Sequence, residues 1–128
     1  MIAIKLEETQ NTPSVEFDEG TNCLNIVGRL LPEHPGPFFS ELHSWLERVQ
    51  NSDIGQITIS FYLYYYNTTS TKRLVMFLRE IDRQLANGLD VRVEWKYDEE
   101  DEDAYDDGVD FRQASNVDIK LIEVPEED

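Results

Sequence analysis

Cysteine is nearly missing from this 128-residue chain: Cys23 stands alone, so no internal disulfide can brace the fold. It falls in the apolar run Cys23-Leu24-Asn25-Ile26-Val27 and is expected to be a buried, inert thiol. Basic residues are scarce too. Eleven Lys and Arg face 27 Asp and Glu, a formal net charge of −16. Such a surface repels phosphate backbones and anionic lipid headgroups, which argues against nucleic-acid and membrane-surface partners. No apolar run nears the roughly 20 residues that span a bilayer. The opening MIAIKLEETQ has only four apolar residues before Lys5 and acids soon after, unlike a secretory signal, so a cytoplasmic protein is expected.

The motifs of catalysis are also lacking. His34 and His43 are the only histidines, one in a proline-rich loop and one in a helical stretch. Neither has a cysteine or second histidine at ligand spacing, which argues against structural zinc. There is no Gly-x-Ser-x-Gly elbow, no Gly-x-x-x-x-Gly-Lys loop and no Gly-x-Gly-x-x-Gly. Neither an enzyme nor a cofactor is indicated. The acidic segment 98–107 invites a calcium reading. Aligning Gly108 with the sixth place of an EF-hand loop puts Tyr105 at the third and Ala114 at the twelfth, where an oxygen donor and a glutamate are required. That fit fails, and a solvated acidic loop or helix face is expected, with a short acidic tail at 123–128.

What is present is a 40% hydrophobic content, enough for one domain with a real core. Ser14 to Phe17 and Cys23 to Val27 read as strands around an Asp18–Asn22 turn, and Ile2, Ile4 and Leu6 alternate as a further strand. Leu31 to Pro37 holds three prolines and forbids regular structure. From Phe38 the period lengthens: Phe38, Leu42, Trp45 and Val49 predict a helix with Pro37 in its first turn, ending at Asn51-Ser52-Asp53. Ile57, Ile59, Phe61, Leu63 and Tyr65 alternate with Thr58, Ser60, Tyr62, Tyr64 and Tyr66. The aromatic second set predicts a central strand covered on both faces. Leu74, Leu78, Ile81 and Leu85 predict a second helix stopped at Asn87-Gly88. Val91, Val93 and Trp95, then Val117, Ile119 and Leu121, complete the strands. The order β-β-helix-β-helix-β implies an α/β fold, a mixed sheet of four to six strands with helices packed on it by right-handed crossovers.

Asn67-Thr68-Thr69-Ser70-Thr71 lies where the central strand stops and a helix starts. One reading is simply a helix cap, with a Thr or Ser hydroxyl meeting the free N–H groups. The other starts from excess. One cap needs one hydroxyl and here are four, followed by Lys72 and Arg73 in what reads as the first turn, where the dipole disfavours cations. A phosphate on Thr68 or a neighbour would reverse that disadvantage, sitting against free N–H groups and two cations. The hydroxyls are therefore candidate phosphoacceptors, and the preceding tyrosines offer rigid contact surface for a partner.

Several short motifs in order carry a resemblance: Thr12-Pro13 with Val15-Glu16-Phe17, Gly28 with Pro32-Glu33, Tyr66-Asn67-Thr68-Thr69-Ser70, and Val93-Glu94-Trp95-Lys96-Tyr97-Asp98 with an acidic run to Gly108. Together, from about Thr9 to about Phe111, the chain resembles the SiaC family of bacterial regulatory phosphoproteins. The resemblance implies a STAS-like fold of the anti-sigma-factor antagonist type, and switching by a dedicated kinase and a PP2C-type phosphatase. It implies an unphosphorylated form that binds and activates a GGDEF diguanylate cyclase in cyclic-di-GMP and biofilm signalling. The family's acceptor threonine directly follows the motif asparagine, which falls on Thr68, with Thr69 and Ser70 next in line and Asn67, Lys72 and Arg73 as phosphate neighbours. Tyr64, Tyr66, Pro32 and Glu33 are the docking candidates. The chain departs from the family at Gly28-Arg29-Leu30-Leu31-Pro32-Glu33-His34, where a serine and Pro-Glu-Asn are usual. Two further functions stay open at this stage: an anti-sigma-factor antagonist, and an acidic binding domain without a switch.

Overall fold

The computed structural model describes residues 2–31 and 33–125. Three strands come first, and helices and strands alternate after them: β1 (Lys5–Leu6), β2 (Ser14–Asp18), β3 (Cys23–Leu30), α1 (Gly36–Gln50), β4 (Gln56–Tyr66), α2 (Thr68–Ala86), β5 (Asp90–Asp98), α3 (Glu102–Ala114) and β6 (Asp118–Val124). The sheet runs in chain order from β1 to β6. β1, β2 and β3 are antiparallel neighbours, whereas β3 to β6 are parallel, each joined to the next through one helix.

Crossovers between parallel strands are right-handed, so three successive ones advancing the same way set all three helices on one face. The core lies there. Val15 and Phe17, Leu24 and Ile26, Ile57 to Leu63 at alternate positions, Val91 to Trp95 and Ile119 meet Leu42, Trp45, Leu46, Leu74, Phe77, Ile81 and Phe111 from the helices. Trp45 is fully buried, and its indole N–H donates to the Ile2 carbonyl at 3.1 Å. The β2–β3 turn is built as the sequence implies, with the Asp18 carboxylate accepting from the Gly20 N–H at 2.8 Å.

Four expectations change. β4 is central, but among the described residues its second face carries no helix; it presents Thr58, Tyr62 and exposed Tyr64. The tyrosines there are amphipathic side chains on an open sheet, which does not require a second layer. Cys23 is on that open face too, half-buried rather than sealed, and burial raises its thiol pKa. The initial strand shrinks to Lys5–Leu6. Finally, the order gains a third helix: of the loop and helix expected for the acidic segment, residues from Glu102 take the helix, and Asp101 caps α3 by accepting from the Ala104 N–H at 3.0 Å.

Two glycines are set by close approach. Gly28 has φ 138°, and a Cβ there would stand 2.5 Å from Glu8 Oε1 and 3.1 Å from Pro13 Cα. Gly108, in α3, lies over β5 and β6; a Cβ would fall 2.6 Å from the Trp95 ring and 2.7 Å from Leu121. Both demand a missing side chain.

Candidate functional site

At the carboxyl ends of β3, β4 and β5, three loops lie side by side: the proline segment after Leu30, Asn67 before α2, and the acidic turn before α3. Ligand sites in open α/β sheets gather at this edge. Asn67 itself is the cap of α2. It is extended (φ −100°, ψ 173°), and its Oδ1 accepts from the Ser70 N–H at 2.8 Å. This corrects the assignment of capping to a Thr or Ser hydroxyl: asparagine caps as well as serine, and it stands one position earlier.

The four hydroxyls then separate by environment. Ser70 is fully buried and its Oγ donates to the Leu30 carbonyl at 3.0 Å, fastening the start of α2 to the end of β3. That burial removes it as an accessible acceptor. Thr71 Oγ1 donates back to the Thr68 carbonyl at 2.7 Å. Thr68 and Thr69 are exposed, and neither hydroxyl bonds another described residue.

Lys72 and Arg73 fall in the second turn, because the helix begins at Thr68. The conflict with the dipole expected for a first turn therefore does not arise. The new register gives a different relation: Lys72 is four residues after Thr68, and Arg73 four after Thr69. An anion four residues before a cation is the favourable order on a helix. Arg73 also reaches across to α1, its guanidinium 3.8 Å from where a Cβ on Gly36 would sit.

The docking candidates do not share one surface. A bulge falls in the β3–β4 pairing: Gly28 opposes Leu63, but Arg29 opposes Tyr65 and Leu30 opposes Tyr66. Tyr64 is the extra residue, and the alternation reverses beyond it. Tyr65, expected to point inward, is 65% exposed. Tyr64 lies on the open face, edge-on to Tyr62 at 5.1 Å, and Tyr62 is hydrogen-bonded to Asp98. Tyr66 turns to the helix side, where its ring meets Trp95 at 5.7 Å and its hydroxyl donates to Asp107 Oδ2 at 2.6 Å. Burial, then Asp107, drives the Tyr66 phenol far above its ordinary pKa, so it remains a donor at any physiological pH. Glu33 is exposed beside this edge, and Pro32 lies outside the described residues. Sequence reasoning missed Asp107 as the tether of α3 and Tyr65 as a surface aromatic. Among the described residues no group of three or more His, Cys, Asp or Glu is disposed to hold a metal ion, and no helix is long and apolar enough to cross a membrane.

Residues 6–124 match the family described as SiaC family regulatory phosphoprotein. The chain belongs to the SiaC family. An uncharacterized protein of Pseudomonas aeruginosa strain UCBPP-PA14 is 26% identical over 113 residues, 88% of this chain and 90% of that one. The crystal structure of apo-SiaC from Pseudomonas aeruginosa superimposes with a TM-score of 0.82 at 22% identity, covering 95% of this chain and 99% of that one. SiaC from the same organism, crystallised as the activator in complex with the diguanylate cyclase SiaD, gives a TM-score of 0.84 at 23% identity, covering 94% and 99%. These SiaC structures share the mixed six-stranded fold with three helices.

Proposed function

We propose that this protein is a phosphorylation-switched activator. Unphosphorylated, it binds and activates a GGDEF diguanylate cyclase, as SiaC does with SiaD. Phosphate on Thr68, added by a protein kinase and removed by a PP2C-type phosphatase, releases the cyclase. The protein itself is not a catalyst, and it works as one cytoplasmic domain.

The observation that carries this reading is the state of Thr68. Its hydroxyl is exposed at the first position of α2, the helix cap is already supplied by Asn67, and Lys72 stands one turn on. A kinase can therefore modify Thr68 without breaking a bond the fold needs. Magnitudes say how the switch acts. A phosphate adds about 1.5 to 2 negative charges. Its local gain is about 0.3–1 kcal/mol from the dipole and about 0.2–0.5 kcal/mol from the pair with Lys72. That is too little to rebuild a helix of this length, so the switch works by altering surface charge where a partner docks.

Tandem mass spectrometry of the protein from its host is expected to place phosphate on Thr68. In a cyclase assay, Thr68→Ala should activate like the unphosphorylated protein, the phosphoprotein should not activate, and Thr68→Glu should fall between, having fewer acceptor oxygens and less charge. Equal activation by the phosphorylated and unphosphorylated forms would falsify the switch.

A further inference from the structure

α2 carries Lys72, Arg73, Arg79 and Arg83, four of the eleven Lys and Arg of a chain whose net charge is −16. At 100° per residue Lys72, Arg79 and Arg83 fall within about 40° of one another, opposite the buried Leu74, Phe77, Leu78 and Ile81, while Arg73 lies about 100° round from Lys72, on the flank towards α1. Met76 lies between that cluster and Arg73, with Glu80 beside it; it is 53% exposed and among the few large apolar side chains left in solvent. Arg83 pairs with Glu80, and the other three cations have no ion pair with a described residue. The positive field reaches α1, which packs beside α2. There, burial and then Arg83 lower the pKa of His43; Arg73 adds to this and Glu47 opposes it.

We propose that this outward face of α2 docks an acidic amphipathic helix of a protein partner, with Met76 received by an apolar residue and the cations by carboxylates. Charge decides the occupant. A basic helix would meet like charge here and would be drawn to the acidic remainder of the surface, whereas an acidic one finds complementary charge on this face. Screening over about 8 Å at physiological salt keeps the distant acids from cancelling that local attraction. Methionine suits the centre, because its flexible thioether repacks against partners of differing shape. This deepens the proposed function and rests on it for the switch alone: a phosphate on Thr68 would stand at the head of the same sector, where it would occupy Lys72 and repel the partner's carboxylates.

The test uses a fluorescein-labelled helical peptide of about 18 residues with a leucine stripe flanked by glutamates on an alanine background, and the unphosphorylated full chain. Amide shifts in an NMR titration should concentrate on α2. Met76→Ala and Arg79→Glu, both at exposed positions, should each weaken binding about tenfold or more, while Arg92→Glu and Lys120→Glu on the open sheet face should leave it within about twofold. Equal losses from all the charge reversals, with no loss from Met76→Ala, would mean that only net charge is sensed and would overturn the proposal, as would shifts mapping to another face. Thr68→Ala should bind the peptide normally. Binding retained on α2 in a protein that is never phosphorylated in its host would refute the switch and leave the docking surface standing.

Discussion

Ser70 and Thr68 are two positions apart, yet one is sealed against the Leu30 carbonyl and the other faces solvent. The difference is positional: the third residue of α2 turns back under the sheet edge, and the first does not. Ser70→Ala should therefore destabilise the protein by about 1–3 kcal/mol, since it removes the buried hydroxyl that donates to the Leu30 carbonyl. Chemical denaturation would read this as a lower midpoint at unchanged slope. A shift below a few tenths of a kcal/mol would mean that water replaces the hydroxyl. At this scale the sequence was informative about composition and silent about assignment. It marked the Asn67–Thr71 cluster as a helix start, but Asn67 and Thr68 are both good caps, and only the backbone angles decide which residue serves.

β4 shows where strand periodicity stops being readable. From Ile57 to Leu63 the alternation predicts the helix-side set, and Ile57, Ile59, Phe61 and Leu63 are all buried; the small Ser60 on the other face is buried as well. Beyond Leu63 the alternation inverts, because a bulge belongs to the pairing of two strands and leaves no mark in the sequence of one. α3 was hidden for another reason. Its inward residues are Ala104, Gly108 and Phe111, too small and too few to register as an apolar stripe among so many acids. The same smallness lets α3 lie close to Trp95, whose indole donates to the Ala104 carbonyl at 2.9 Å. Gly108→Ala sets two effects against each other: about 1 kcal/mol gained in helix propensity and about 1–3 kcal/mol lost to overpacking. The clash should win, because the Trp95 ring is rigid and only 3% exposed. A lowered melting temperature, with faster hydrogen exchange confined to α3 and β6, is the expected result; a raised one would show that the helix simply lifts away.

On the scale of the whole molecule, the excess of 16 negative charges is mostly uncompensated: among the described residues there are two ion pairs, Lys5 with Glu16 and Glu80 with Arg83. Self-repulsion of this kind favours expansion and is weakened by salt. The melting temperature should rise between about 0.02 M and 0.5 M sodium chloride, a range over which the screening length falls several-fold. A flat or falling salt profile in calorimetry would mean that local attractive pairs, not net charge, dominate.

The chain-ordered sheet has a further consequence, for synthesis. Every strand from β2 onward pairs with the one that left the ribosome just before it, and none has to be inserted between two partners already joined. The domain can therefore grow by accretion at one edge while translation proceeds from the N-terminus. β6, the last of the described strands, adds at that edge beside β5 and brings Ile119 into the core. Its late arrival leaves the hydrogen bond from Ser70 to the Leu30 carbonyl free to form beforehand, whereas the tether of Tyr66 to Asp107 waits for α3.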